Sequence, residues 1–167
     1  MTAPRFAIAI SRFNPEVTGG LLAGALAEFA EHGAPVEEAD IFEAPGAFEL
    51  PLIAQTLART GRYAGVACLG CVIKGDTAHF EFISAGAAWG LVSASLATET
   101  PIAFGVLTTY TDQQAETRSR DDAGNKGREA AAACVETAAS LRRIAHQQSS
   151  GTSDKVRCRP WSSTTVT

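Results

Sequence analysis

Basic charge is in short supply: 14 Lys and Arg stand against 18 Asp and Glu, a formal charge of -4. Such a balance lacks the electrostatic footprint of a general nucleic-acid binder, so an anionic ligand would have to be attracted locally. Long apolar runs are missing as well. None reaches the roughly 20 residues needed to span a bilayer, so no membrane association is expected. Met1-Thr2-Ala3-Pro4-Arg5 leads straight into a strand-like segment without the pattern of a signal peptide, which makes the cytoplasm the expected location. Internal repeats are absent. No second ligand pair accompanies Cys68-Leu69-Gly70-Cys71, so no zinc site is expected there.

What remains is the composition of one soluble globular domain. An apolar share of 46% and a charged share of 19% over 167 residues suffice for one real core and not for two comfortable ones. Cys68 and Cys71 have redox spacing, but a redox pair normally opens a helix, where the dipole lowers the thiol pKa. Here both fall inside a buried strand and, three residues apart, face opposite sides of it. They read as reduced core cysteines.

Apolar runs alternate with helical patterns. Residues 6–10 form a first strand. Val17, Leu21, Leu22, Ala25, Leu26 and Phe29 follow at helical spacing until Gly33. Residues 36–42 suggest a second strand, weakened by acidic residues. A turn at Ala44-Pro45-Gly46 precedes a helix marked by Leu50, Ile53, Ala54 and Leu57, and Pro51 fits only its first turn. The third strand, residues 64–73, is continuously apolar and therefore expected to be central. A helix over 79–97, a strand over 102–107 after Pro101, and helices over 112–120 and 125–147 complete a domain of residues 1–148. Alternating strands and helices with short connections imply a parallel sheet covered on both faces. Residues 149–167 have no periodicity and read as a disordered tail, with Cys158 and Trp161 forming either a docking peptide or a passive extension.

Ligands of open parallel sheets gather at the carboxyl ends of the strands. Those ends deliver Ser11-Arg12-Phe13-Asn14, then 44–49, then Val72-Ile73-Lys74-Gly75-Asp76-Thr77-Ala78-His79, then Thr108-Thr109-Tyr110. The third segment brings a cation, a glycine, a hydroxyl and an imidazole to a strand-to-helix junction. Backbone N–H groups at a helix start bind anions, and an imidazole one turn on can move protons beside them. Phe13 offers a ring for stacking or for packing. Pro45-Gly46-Ala47 offers backbone groups to the edge of a heterocycle, or only a turn. Glu49 suits hydroxyl recognition or the helix dipole. His32, at a helix end, is expected to be solvated. Arg118, Arg120, Lys126 and Arg128 read as a salt-bridged surface with Glu116, Asp121, Asp122 and Glu129, from which one arginine could grip phosphate.

Taken together, Arg12-Phe13-Asn14, residues 45–51, residues 70–80, Phe104-Gly105-Val106-Leu107-Thr108, Gln114-Ala115 with Arg118, and Asn125-Lys126-Gly127 resemble the lumazine synthase family in order and spacing over residues 6–145. The resemblance implies a single three-layer α/β/α domain with a flavodoxin-like, four-stranded parallel sheet of order 2-1-3-4. It implies condensation of 5-amino-6-ribitylaminouracil with 3,4-dihydroxy-2-butanone 4-phosphate in riboflavin biosynthesis, with no metal and no organic cofactor. Phe13 would stack on the pyrimidine. Ala47, Phe48 and Glu49 would hold its edge and ribityl chain, with Val72 and Ile73 adding backbone contacts. Gly75, Asp76 and Thr77 would cradle phosphate and His79 would shuttle protons. A neighbouring subunit would supply Phe104, Arg118 and Lys126, so a homo-oligomer built on pentamers is implied.

Some positions depart from the family pattern. Asp76 stands where a small or polar residue is expected, and Lys74 where arginine is frequent. Thr117 and Ser119-Arg120 replace acidic and Ala-Gly neighbours, which makes Arg120 a rival phosphate ligand. A short N-terminus and an uninterrupted 118–126 connection point opposite ways on assembly, leaving pentamer, decamer and 60-subunit shell open. An archaeal-type riboflavin synthase of the same fold, or a shell-forming or flavin-binding relative with little turnover, are the alternative functions.

Overall fold

In the computed structural model, which describes residues 4–151, the strands are β1 (Phe6–Ser11), β2 (Ile41–Ala44), β3 (Gly65–Ile73) and β4 (Ile102–Thr109). The helices are α1 (Pro15–Glu31), α2 (Leu50–Arg59), α3 (His79–Thr98), α4 (Asp112–Ser119) and α5 (Lys126–Gly151). All strand pairs are parallel, in the order β2-β1-β3-β4. β3 is central, as its unbroken apolar run predicts. The helix α5 continues past the expected end at 147 to Gly151, and the remainder of the expected tail, with Cys158 and Trp161, lies outside the described residues.

Strand parity divides the core into two layers. Ile8, Leu69, Cys71 and Leu107 face α1, α4 and α5, packing with Leu21, Phe29, Ala115 and Cys134. Ala7, Ala9, Cys68 and Val106 face α2 and α3, packing with Leu50, Ala54 and Leu91. Cys68 and Cys71 thus lie on opposite faces, both buried. Burial raises both thiol pKa values, that of Cys71 to about 11, so each stays a protonated core side chain. Close approach is set by glycine. A Cβ on Gly105 would come within 2.8 Å of the Cys68 carbonyl and 3.0 Å of Ala130, and one on Gly127 within 1.9 Å of the Leu21 carbonyl, so β4 and α1 receive α5 only without those atoms.

Helix ends follow the sequence signals. Asn14 adopts a left-handed φ of 55° just before Pro15, whose fixed φ suits the first turn. Gly33 and Gly61 take positive φ immediately after α1 and α2, as helix-ending glycines do. Pro51 sits in the first turn of α2.

Two expectations need correction. The second strand does not begin at residue 36. Glu38–Asp40 forms a 3-10 turn and the strand starts at Ile41. The turn carries Asp40 inward, where the Arg5 guanidinium donates two 2.7 Å hydrogen bonds to its carboxylate and the Tyr63 hydroxyl a third at 2.8 Å. A buried carboxylate with three donors outweighs the pairing that residues 36–40 could gain in an edge strand. The helix α3, for its part, is long and apolar enough by length and composition to cross a membrane, contrary to the absence of such runs read from the sequence. It packs on α2 and β4 through Ala87, Leu91 and Ala94, while Phe82, Trp89 and Leu96 remain exposed.

The Arg5 guanidinium holds Asp40 below the ordinary carboxylate pKa of 3.8, so the pairing stabilises the fold above that pH and is lost as pH falls through the lowered value. Asp40→Asn should therefore lower the melting temperature at neutral pH, and the gap to the parent should close as pH drops below about 4. Thermal scans across pH check this; a gap independent of pH would mean that packing, not charge, carries the contribution.

Candidate functional site

The carboxyl ends of β1, β2 and β3 open onto a cavity of about 360 Å³. Phe13, Ala47, Phe48, Glu49, Val72, Ile73 and His79 all line it, so seven of the residues singled out from sequence converge there. Their placement follows from local structure. The Asn14 side chain donates a 3.0 Å hydrogen bond to the Cys71 carbonyl, tying the end of β1 to β3. With Asn14 in left-handed conformation the chain reverses, and the adjacent Phe13 ring is left exposed at the cavity mouth. Gly46 lies beneath that ring and beside Glu49: an added Cβ would stand 3.6 Å from Phe13 and 3.0 Å from the Glu49 carboxylate. The Phe48 ring rests on α3 at Gly86, where a Cβ would come within 2.6 Å of it.

At the rim lies the loop between β3 and α3. The Lys74 N–H donates to the Thr109 carbonyl at 2.9 Å, the last link between β3 and β4 before the chain leaves the sheet. The Lys74 ammonium sits 3.4 Å from Glu81 and over the rings of Tyr110 and Phe80, at 5.5 and 6.0 Å from their centroids. These contacts clamp the base of the loop. Beyond it, the N–H groups of Gly75, Asp76 and Thr77 have no hydrogen-bond partner among the described residues. The Thr77 hydroxyl accepts a 3.4 Å bond from the His79 N–H at the start of α3. Gly75 lies outside the left-handed region and nothing stands within 4 Å of where its Cβ would be, so neither backbone strain nor packing calls for glycine there. What glycine does is leave the neighbouring amides uncovered. Asp76 is exposed, without an ion pair among the described residues.

Phe104, Arg118 and Lys126 are brought together elsewhere. They line a second cavity of about 300 Å³ along the free edge of β4, between α4 and α5, with no residue in common with the first. Three devices build it. Thr111 caps α4 by accepting from the Gln114 N–H at 3.2 Å, while the Gln114 side chain accepts from the Tyr110 N–H at 2.9 Å. Arg118 donates to the Gln114 carbonyl at 2.8 Å, which steadies its guanidinium. Lys126 pairs with Glu129. Arg120 does not line the cavity.

The salt-bridged surface read from the sequence is only partly present. Lys126 finds Glu129, but Arg128 reaches across to Glu28 and Glu31 on α1, at 3.0 and 2.9 Å. His32 is not simply solvated, since its Nε2 lies 3.2 Å from the Glu28 carboxylate.

Sequence reasoning missed the residues that hold these groups in place. Asn125 is the main one. It is 1% exposed, and its Nδ2 donates to the carbonyls of Gly20, Ser119 and Arg120 at 3.0, 3.0 and 2.8 Å. Its Oδ1 accepts from the N–H groups of Gly127 and Arg128 at 2.8 and 3.2 Å, capping α5. The sequence shows Asn125 only as the first residue of the Asn125-Lys126-Gly127 motif at the start of a helix, and says nothing of Gly20. Neither cavity holds a cluster of metal-ligating side chains among the described residues.

Comparison with known proteins agrees with this architecture. Residues 3–142 match the family described as 6,7-dimethyl-8-ribityllumazine synthase. The chain is 73% identical over 141 residues to 6,7-dimethyl-8-ribityllumazine synthase 1 of Caulobacter vibrioides, covering 84% of this chain and 92% of that protein. It is 49% identical over 140 residues to the 6,7-dimethyl-8-ribityllumazine synthase of Deinococcus radiodurans, covering 84% and 90%. With the enzyme of the same name from Salinibacter ruber it shares 48% over 134 residues, covering 80% and 86%. With a parallel sheet of order 2-1-3-4, a strand-end cavity and matches that span most of its length, this chain belongs to the 6,7-dimethyl-8-ribityllumazine synthase family.

Proposed function

We propose that this chain makes 6,7-dimethyl-8-ribityllumazine, a step of riboflavin biosynthesis, from 5-amino-6-ribitylaminouracil and 3,4-dihydroxy-2-butanone 4-phosphate. The observation that carries the reading is the row of unpartnered amides at Gly75, Asp76 and Thr77, beside His79 and at the rim of the cavity that Phe13 closes. Unpaired N–H groups at the start of a long helix suit a phosphate that must first be held and then released. His79 carries protons as the pyrimidine amine condenses with the butanone carbonyl and expels a first water, phosphate departs, and the ribitylamine closes the second ring on the remaining carbonyl with loss of a second water. Phe13 stacks on the pyrimidine. Ala47, Phe48, Glu49, Val72 and Ile73 hold its edge and the ribityl chain. Those residues need only orient two reactants and exchange protons between them, so the chemistry calls for no metal or organic cofactor.

Phe104, Arg118 and Lys126 serve the site of an adjacent copy. Two observations support this. They line a cavity on the open edge of β4 that shares no residue with the Phe13 cavity, and α3 exposes Phe82, Trp89 and Leu96 at seven-residue spacing. An apolar stripe of that size needs cover, and copies related by a ring supply it without a bilayer. A pentameric ring, alone or as part of a larger assembly working in the cytoplasm, is the arrangement proposed.

Mixing purified protein with both substrates should produce lumazine fluorescence. Conversion of lumazine to riboflavin would instead indicate an archaeal-type riboflavin synthase, and tight binding without turnover a non-catalytic relative. Phe13→Ala should weaken pyrimidine binding by about 1–3 kcal/mol, measured by titration, and equal affinity would rule out stacking. Arg118→Ala should lower kcat/KM for the phosphorylated substrate by about tenfold to a hundredfold, the range for a lost charge-assisted hydrogen bond. Co-assembling Arg118→Ala with His79→Ala chains should restore activity at about a quarter of the sites, because a shared cleft can then pair two intact halves. No recovery in demonstrably mixed oligomers would confine each site to one subunit.

A further inference from the structure

We propose that Asn125 is a positioning residue for the reaction: its carboxamide sets where the α4 end that bears Arg118 stands relative to Lys126 on α5. This inference rests on the assignment of Arg118 and Lys126 to the phosphate side of the site, and adds what holds them there.

The orientation of the carboxamide is unambiguous. Three carbonyls face its nitrogen and two N–H groups face its oxygen, so a flipped amide would set like against like on both sides. The two groups of bonds do different work. Those to Oδ1 cap α5, the task of any Asn, Asp, Ser or Thr in that place. Those from Nδ2 reach outside the helix, to Ser119 and Arg120 at the end of α4 and to Gly20 on α1. Two N–H bonds serve three acceptors, so at least one is shared, and the geometry is tightly determined. The surroundings are shaped to it. A Cβ at Gly24 would lie 2.2 Å from the Asn125 oxygen, and one at Gly20 would lie 2.3 Å from the Ser119 carbonyl.

Little else fixes that end of α4. Arg118 and Arg120 are exposed, Ser119 between them is half-buried against α1, and Ala115 is the only buried residue of the helix. Arg118 is one residue from the Ser119 carbonyl that Asn125 holds, and Lys126 is the residue after Asn125 itself. One amide therefore references both cations to the same point on α1. Misplacement of a binding group by about 1 Å can cost up to about a hundredfold in rate, so this control bears on turnover.

Steady-state kinetics on the intact oligomer separate this role from plain stabilisation. Asn125→Ser keeps an oxygen to cap α5 and loses the three donations. Gly20→Ala keeps Asn125 and pushes on the Ser119 carbonyl. Each should raise KM for the phosphorylated substrate about tenfold, with KM for the pyrimidine changed less than about twofold. Asn125→Ser should raise KM less in the Arg118→Ala background than in the parent, because of the two cations it positions only Lys126 then remains. A residue that only stabilises the fold would lower the melting temperature and the amount of active enzyme, leaving both KM values alone. Folded variants with parental KM overturn the proposal. If neither variant folds, hydrogen exchange decides with the parent protein: saturating inorganic phosphate should slow the Gly127 and Arg128 amides, and unchanged exchange overturns it. Arg118→Ala with an unaltered kcat/KM for the phosphorylated substrate would instead refute the underlying assignment of the phosphate site.

Discussion

Five hydrogen bonds converge on the buried carboxamide of Asn125, drawing a backbone carbonyl of α1, the end of α4 and the start of α5 to one point. Each such bond contributes about 1 kcal/mol net, but removing the amide would strand several backbone groups in a dry environment, at a larger cost. The arrangement is possible because Gly20, Gly24 and Gly127 present no side chain where three backbones meet. The helical layer over β3 and β4 is thereby registered at the very place where the cationic cavity forms.

The parallel sheet imposes a second constraint. With every strand running the same way, β1, β2 and β3 deliver their terminal loops to one rim, and Phe13, Ala47, Glu49 and His79 meet there without lying close in the chain. The winding order leaves β4 at the opposite edge, so the groups it shares with α4 and α5 open away from that cavity. One chain thus carries two separate open cavities rather than a single enclosed pocket. On α3, Phe82, Trp89 and Leu96 form an exposed apolar stripe.

Much of this was legible residue by residue. The unbroken apolar run ending at Ile73 marked the central strand, helical spacing from Val17 to Phe29 marked α1, and Gly33 marked its end. Cys68 and Cys71 went to opposite core layers as their odd separation requires. The strand-end segments named the residues of the first cavity, because loop chemistry at a parallel sheet is written in short contiguous motifs. The 3-10 turn before β2 escaped notice because Asp40 is held by Arg5 and Tyr63, 35 and 23 residues away. The likeness of Arg118 and Arg120 as phosphate ligands had the same origin, since only the end of α4 decides which of them lines the β4 cavity.

The amino-acid order alone determined the alternation of strands and helices, the two-sided burial of the sheet and the composition of the loops at its carboxyl edge. Those features depend on periodicity and on the conformational limits of glycine and proline, both of which act over a few residues. Only the tertiary structure decided that Asn125 bonds Gly20 across 105 positions, that Arg128 turns to α1, and that Phe104, Arg118 and Lys126 form a cavity apart from Phe13 and His79. Such pairings depend on where whole elements pack, and a buried polar group takes whichever partner the packing brings within reach.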